Sequence, residues 1–321
     1  MERGGYLMSN FYITGDCHKD YRKIEMFCAR HNTSTEDYMI VLGDFGINYW
    51  LDKTDLKEKQ KLSKLPISFF IVHGNHEARP YEIDSYEEKM WNGGVVYVEP
   101  EFPKLLFAKD GEIYTLNDKR CMAIGGAYSV DKNYRLLVRM PWFESEQPSK
   151  EIKQYVENQL EANNWKLDYI FSHTCPYKYE PTDLFLEFID QSEVDKSTEE
   201  WLTAIEKKMT YEKWYFGHFH ENRQYVHAEM LFEMIKELGA DDFIQCIGRP
   251  KYRKGEMVLF YIDDGEEKRE CYGGIAIVDA YGTFEQAREV SYDIRGVDGV
   301  LYKHVLESEV CGLREMKDVI E

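Results

Sequence analysis

The stretch ISFFIVHGNHE at positions 67–77 joins an uncharged β-prone run, Ile67 to Val72, to a polar cluster, His73-Gly74-Asn75-His76-Glu77. The same grammar recurs along the chain. FYIT (11–14) stops at Gly15-Asp16-Cys17-His18, and YMIVL (38–42) stops at Gly43-Asp44. DYIFS (168–172) stops at His173-Thr174-Cys175-Pro176, and WYF (214–216) stops at Gly217-His218-Phe219-His220. Each run reads as a short buried strand that ends in a loop. Functional groups of α/β proteins gather beyond the carboxyl ends of strands, so these five loops are expected to converge.

Helices are expected over Tyr21 to Arg30 and Glu151 to Asn164. Lys104 to Val130 alternates apolar runs with turns at Asp110-Gly111 and Asn117-Asp118, and reads as a β-meander forming a second sheet. Glu221 to Leu238 is open: AEMLFEMI (228–235) has helical propensity, and two short terminal strands fit equally. Residues 1–238 form the first expected domain and 239–250 a linker. Residues 251–321 change texture to short β runs with turns at Asp264-Gly265, Tyr281-Gly282 and Asp298-Gly299, and are expected to form a small β-barrel with a short C-terminal tail.

Across 321 residues, 40 Lys and Arg face 59 Asp and Glu, a formal charge of −19. A broad nucleic-acid-binding surface is disfavoured, because that mode relies on cationic side chains neutralising phosphates. Residues 251–321 repeat the balance, with 10 basic against 16 acidic residues, so they offer no basic face either. No run approaches the ~18 apolar residues of a membrane span, and MERGGYLM (1–8) lacks an apolar signal core, so a soluble, cytoplasmic protein with no membrane partner is expected. Seven cysteines without Cys-x-x-Cys spacing read as reduced thiols; Cys28, Cys121, Cys246, Cys271 and Cys311 are given no role.

Asp16, His18, Asp44, Asn75, His173, His218 and His220 are oxygen and nitrogen donors suited to divalent metals without thiolate. The spacing Asp16-x-His18 puts two side chains on one side of an extended loop, as does His218-x-His220, so each pair is expected to chelate one ion. Two ions ~3.5–4 Å apart need a bridging group, for which the carboxylate of Asp44 is the candidate. A water between them becomes the hydroxide nucleophile, and His76 is placed to protonate the leaving oxygen. His31, His227 and His304 belong to no motif and are read as structural; His73 should point away from its ligand neighbours into the core. Trp50, Trp91 and Trp142 are read as core aromatics, with base stacking as the sharper alternative.

In order, GDCH (15–18), GD (43–44), GNHE (74–77), SH (172–173) and GHFH (217–220) resemble the signature of the calcineurin-like metallophosphoesterase superfamily, over roughly Met8 to Leu238. The resemblance implies an α/β fold, a four-layer αββα sandwich, with manganese foremost and iron, zinc or nickel as other metals. It assigns Asp16, His18, Asp44 and His220 to one ion, and Asp44, Asn75, His173 and His218 to the other. Protein Ser/Thr phosphatases continue Gly-Asp-x-Val-Asp-Arg-Gly, whereas this chain reads DFGINYW (44–50), without the second Asp or the phosphate-binding Arg. The segment GGAYSVDKNYR (125–135), with Trp142 and ESEQP (144–148), is similar to the bacterial and phage-type branch of the superfamily. Arg135, with Lys132, is the candidate replacement clamp on phosphate.

The function expected is hydrolysis of a phosphodiester or phosphomonoester, with a small phosphorylated substrate and a nucleotide foremost. The alternatives are a nuclease on short or single strands, and a non-catalytic metal-binding scaffold that recruits a partner through the C-terminal barrel. Similar barrels of the Tudor and KOW type bind peptides, nucleic acid or their own catalytic domain, so the barrel's partner stays open.

Overall fold

In the computed structural model all five β-prone runs are strands whose last residue directly precedes, or lies within three residues of, a polar motif. The structure describes residues 9–185, 190–244, 250–263, 268–279 and 289–313. Positions 1–8, Cys246, much of the expected linker and the turns at Asp264-Gly265 and Tyr281-Gly282 lie outside the described residues. Two compact units divide the chain, one of Met1–Tyr21 and Asn32–Phe243, the other of Arg22–His31 and Ile244–Glu321.

The strands of the first unit are β1 (Phe11–Thr14), β2 (Tyr38–Val41), β3 (Ser68–Ile71), β4 (Glu87–Trp91), β5 (Gly94–Val98), β6 (Leu105–Ala108), β7 (Ile113–Leu116), β8 (Lys119–Ile124), β9 (Tyr169–Ser172), β10 (Lys213–Phe216), β11 (Arg223–Gln224), β12 (Ala228–Met230) and β13 (Lys236–Glu237). They form two sheets, in the orders β13-β1-β2-β3-β6-β5-β4 and β11-β12-β10-β9-β8-β7. Strands β1, β2, β3 and β6 run parallel, as do β8, β9, β10 and β12, and antiparallel strands close the edges.

Between the sheets lies an apolar core to which Ile13, Ile40, Phe70 and Leu106 contribute from one side and Tyr114, Ala123, Phe171 and Tyr215 from the other. The period-2 alternation of a strand sends Met122, Ile170, Trp214 and Phe216 to the opposite face. There they pack against Val156 and Leu160 of helix α4 (Lys150–Ala162) and Leu202 and Ile205 of helix α5 (Ser197–Glu206). On the first sheet Met39, Val41, Phe69 and Ile71 are likewise buried on the outer face. Counting helices in chain order, α1 is Arg22–His31, α2 is Lys53–Leu62 and α3 is Lys132–Val138. Asp52 caps α2 by accepting from Thr54 N at 2.7 Å, and Lys59 ties it to Glu99 beyond β5 at 2.6 Å. The result is a four-layer αββα sandwich.

One reading changes, and one left open is resolved. The segment 104–130 does not make one sheet: β6 joins the first, parallel to β3, whereas β7 and β8 form a hairpin of the second. Asn117 and Asp118, at φ 47° and 61°, turn that hairpin in the left-handed region favoured by a tight two-residue turn. Residues 221–238 are short strands and not a helix. Strand β12 extends the second sheet and β13 pairs with β1 of the first. Glu229 and Lys236, each with a fully buried side chain, meet with Lys236 Nζ 2.8 Å from both carboxylate oxygens, and so join the two sheets.

The second unit carries β14 (Met257–Asp263), β15 (Lys268–Asp279), β16 (Ser291–Gly296), β17 (Leu301–Leu306) and β18 (Val310–Leu313). They form an all-antiparallel sheet in the order β17-β16-β15-β14-β18. Val258, Phe260, Ile275, Tyr292 and Ile294 are buried, and Gly299 at φ 82° turns β16 into β17. Among the described residues no helix is long and apolar enough to cross a membrane.

Removing one member of a buried ion pair leaves its partner's charge without compensation, at a cost of about 3–5 kcal/mol. Glu229→Gln is therefore expected to lower the unfolding free energy by that order, read as a fall in the urea midpoint at unchanged slope, and the double variant Glu229→Leu/Lys236→Leu to recover most of it. A single variant that unfolds at the wild-type midpoint would show that the pair does not hold the sheets together.

Candidate metal centre

The loops after β1, β2, β3, β9 and β10 meet at one end of the sandwich. Asp16 and Asp44 are buried, as are Asn75 and His173, whereas His18, His76, His218 and His220 keep access to solvent. Close approach is secured by glycine. Gly43 sits at φ 97°, and a Cβ there would lie 2.2 Å from His173 Nδ1; at Gly74 it would lie 2.0 Å from Asp44 Oδ1.

The donors fall into two groups that share Asp44. In the first, Asp16 Oδ2 lies 3.6 Å from His18 Nε2 and 3.4 Å from His220 Nε2, and the two imidazole nitrogens are 2.8 Å apart. In the second, Asn75 Oδ1 lies 2.7 Å from His173 Nε2 and 3.1 Å from His218 Nδ1. Asp44 Oδ2 is 3.7 Å from His18 Nε2 and 3.6 Å from His173 Nε2, and so faces both groups. One ligand atom from each of Asp16, His18 and His220, and likewise from Asp16, Asp44 and His173, fits within 4.8 Å of the others. Ligand atoms about 2.0–2.2 Å from a shared ion lie about 3–3.6 Å apart, so the spacing fits a first-row divalent cation.

The hydrogen bonds give an independent reason. His173 Nδ1 is 2.7 Å from the Leu42 carbonyl, an acceptor only, so Nδ1 carries the hydrogen. In the neutral ring Nε2 is then a lone pair, pointing at the oxygen of Asn75. Two acceptors at that distance repel unless a proton or a cation lies between them. Without a cation, burial favours the neutral His173 ring, but Asp44 and then Asp16 outweigh it and raise its pKa to about 9. Burial likewise pushes the Asp44 carboxyl up, and His173, His76 and His18 overcome this and hold it far below the carboxylate range. Burial and His173 push His218 down to about 3, so it stays a neutral donor.

The pairing read from spacing is not the one formed. His220 turns to Asp16 and His18, and His218 to Asn75 and His173, because positive φ angles of 67° at His218 and 54° at His220 break the extended loop that would align them. Asp16 and His18 do stay together.

His76 stands at the rim, its backbone N–H donating to Asp44 Oδ1 at 2.8 Å. Its ring Nδ1 is 3.2 Å from Arg135 Nη1, and its Nε2 is 3.9 Å from Asp131 Oδ1. Burial, with Arg135 and His18, lowers the His76 pKa against the pull of Asp44. Arg135 is buried at 1% exposure. Lys132 holds its ammonium 3.9 Å above the Trp142 ring. Asp131 and Lys132 are the cap and first residue of α3. His73 points into the interior, with Nε2 2.8 Å from Glu77 O. Trp91 packs on Phe70 at 5.0 Å between centroids, whereas Trp50 is 42% exposed, contrary to a core assignment. Sequence reasoning gave no role to Ser129 and Glu146, which lie behind Asn75 and Arg135, although both fall within the segments 125–135 and 144–148.

The family model for calcineurin-like phosphoesterases matches residues 9–222. The chain belongs to this family and is thus a metal-dependent phosphoesterase, a hydrolase whose clustered donors are those of a divalent-metal site. No curated protein matches the sequence. Among solved structures, phosphopantetheinyl hydrolase from Mycobacterium tuberculosis is similar at 13% identity, covering 70% of this chain and 88% of that one, with a TM-score of 0.40.

Behind the second group, Thr174 Oγ1 donates to buried Glu199 of α5 at 2.7 Å. Burial, helped by Glu180 and opposed by Thr174 and Lys196, pushes the Glu199 carboxyl from 4.5 up to about 7. A folded value above the unfolded one means stability that is fully present below the unfolded value and lost as pH rises through the folded one, here a span of roughly 3 kcal/mol. Glu199→Gln should remove this dependence. Thermal melts from pH 4.5 to 7.5 are expected to show wild type losing ground to the variant, and a constant gap between them would refute the assignment.

Proposed function

We propose that the chain hydrolyses phosphodiesters or phosphomonoesters, nucleotide-type phosphodiesters foremost, with two divalent ions and manganese the first choice. The observation that carries this reading is the position of the Asp44 carboxylate, with Oδ2 3.7 Å from His18 Nε2 and 3.6 Å from His173 Nε2, between two otherwise separate donor groups. Asp16, His18 and His220 would hold one ion, Asn75, His173 and His218 the other, and Asp44 both. Such ions supply charge neutralisation for the phosphoryl oxygens and an acidified water as nucleophile. His76, at the rim and outside both groups, is placed to give its Nε2 proton to the leaving oxygen.

Two features favour a nucleotide-type ester over a phosphoprotein. The loop DFGINYW (44–50) lacks the arginine of protein phosphatases. It instead sets the buried Tyr49 with its ring 6.3 Å from His76 and the exposed Trp50 5.1 Å beyond, an aromatic face on which a base can stack.

Hydrolysis of bis-p-nitrophenyl phosphate and p-nitrophenyl phosphate with added manganese tests the proposal. Wild type should turn over the diester faster. Asp44→Asn should abolish turnover, and His76→Ala should reduce it roughly 10²–10⁴-fold. Turnover that survives intact in Asp44→Asn would remove the bridging role, and a wild type inert with every divalent metal would favour the scaffold alternative.

A further inference from the structure

Three buried residues from the segment after β8, Ser129, Arg135 and Glu146, lie directly behind the metal centre, where Ser129 and Arg135 hydrogen-bond to Asn75 and His76. Arg135 offers donors only. Its Nη1 lies 3.2 Å from His76 Nδ1, so that nitrogen must hold a lone pair, and the neutral ring must carry its hydrogen on Nε2. Its Nη2 donates to Ser129 Oγ at 2.7 Å, and Nε lies 3.3 Å from Asp131 Oδ1. Asn75 Nδ2 donates to the same Ser129 Oγ at 2.8 Å. The hydroxyl oxygen thus accepts from two donors, and Ser129 meets Glu146 through its backbone N–H.

Glu146 is 2% exposed. Its Oε1 accepts from Ser129 N at 3.3 Å and its Oε2 from Trp142 Nε1 at 2.7 Å, with Arg135 Nη2 3.7 Å away. The carboxylate therefore compensates the buried guanidinium and anchors the Ser129 backbone. Were the Asn75 amide reversed, its NH2 would face the His173 and His218 nitrogens in place of its oxygen. The network thus selects the amide orientation that turns Oδ1 toward the metal ligands.

We propose that Ser129, Arg135 and Glu146 are positioning residues that set two things at once: the orientation of the Asn75 amide at the metal centre and the Nε2–H tautomer of His76. Arg135 acts through His76 and not as a clamp on the phosphate. The proposal rests on the reading of His76 as proton donor, and one arm of its test needs no turnover.

Nitrogen-15 NMR of the full-length, metal-free and zinc-loaded protein reports the His76 tautomer directly. Wild type should show an unprotonated Nδ1 and a protonated Nε2, a preference that Arg135→Met loses; a wild-type Nδ1–H tautomer would overturn the proposal without any variant having to fold. Zinc titration calorimetry gives a second reading. Ser129→Ala should weaken one of two zinc equivalents roughly 10–100-fold and leave the other unchanged, and two unaltered affinities would refute the role at Asn75.

Kinetics with methyl aryl phosphates, from p-nitrophenol to phenol as leaving group, separate positioning from clamping. For Glu146→Gln and Arg135→Met, kcat should fall most with the poorest leaving group while KM holds, and Arg135→Lys should restore little, since a single ammonium cannot serve both Ser129 and His76. A rise in KM that is equal across the series would make Arg135 the clamp. Failure of every ester to react would defeat the phosphoesterase reading while leaving the NMR and zinc results to decide this one.

Discussion

At the centre of the molecule acceptors face acceptors. In the neutral ring the lone pair of His173 Nε2 meets the oxygen of Asn75, and the Asp44 carboxylate looks toward both His173 and His18, whose Nε2 lies 2.8 Å from that of His220. Such a cluster is unfavourable in itself, and proteins keep one only where a positive charge offsets it. The surrounding architecture can be understood as what is needed to hold it. Parallel strands bring five chain segments to the same end, the inter-sheet core fixes their depth, and glycines at 43 and 74 let His173 and the Asp44 carboxylate approach the backbone.

A second shell of constraint sits behind the first. Asn75 and His76 are neighbours in sequence with different tasks, and both are oriented from one side by the segment that follows β8. That segment buries a full positive charge, Arg135, against a full negative one, Glu146. The Glu229–Lys236 pair, at the opposite end of the chain's order, does the same between the two sheets. Buried pairs contribute little net energy when intact, but they tolerate few alternative geometries, and here both lie where a layer or a site must keep its register.

Much of this was legible in the sequence because strand and ligand are adjacent in the chain. A β-prone run ending in Gly-Asp or Gly-Asn-His declares both the element and the direction of its loop, so the five loops and their donor types follow from local text. What was not legible depends on distant partners. Nothing within 104–130 says that β6 pairs with β3 and the hairpin β7–β8 with β9. Residues 228–235 stayed open between helix and strand because the burial of Glu229 makes sense only once Lys236 is beside it. The α2 helix went unread because KTDLKEKQKL (53–62) has only two apolar residues and so no periodic stripe. The sequence offered Arg135 only as a phosphate clamp, because its four partners come from positions 76, 129, 131 and 146.

Four of the seven donors, His18, Asp44, His218 and His220, have φ angles between 46° and 67°. For an L-residue this left-handed backbone costs about 1–2 kcal/mol, least for short polar side chains that bond locally and most for β-branched ones. Sequence drift at these positions therefore passes through two filters in a fixed order. The backbone disfavours Val, Ile and Thr before any question of coordination arises, and what it favours is a short alphabet headed by Gly, Asn, Asp and His. A lineage that gave up the metal altogether would still be held near that alphabet by its loops, so a histidine or aspartate kept at 18, 44, 218 or 220 in a distant descendant would testify to the shape of the turn as much as to the chemistry.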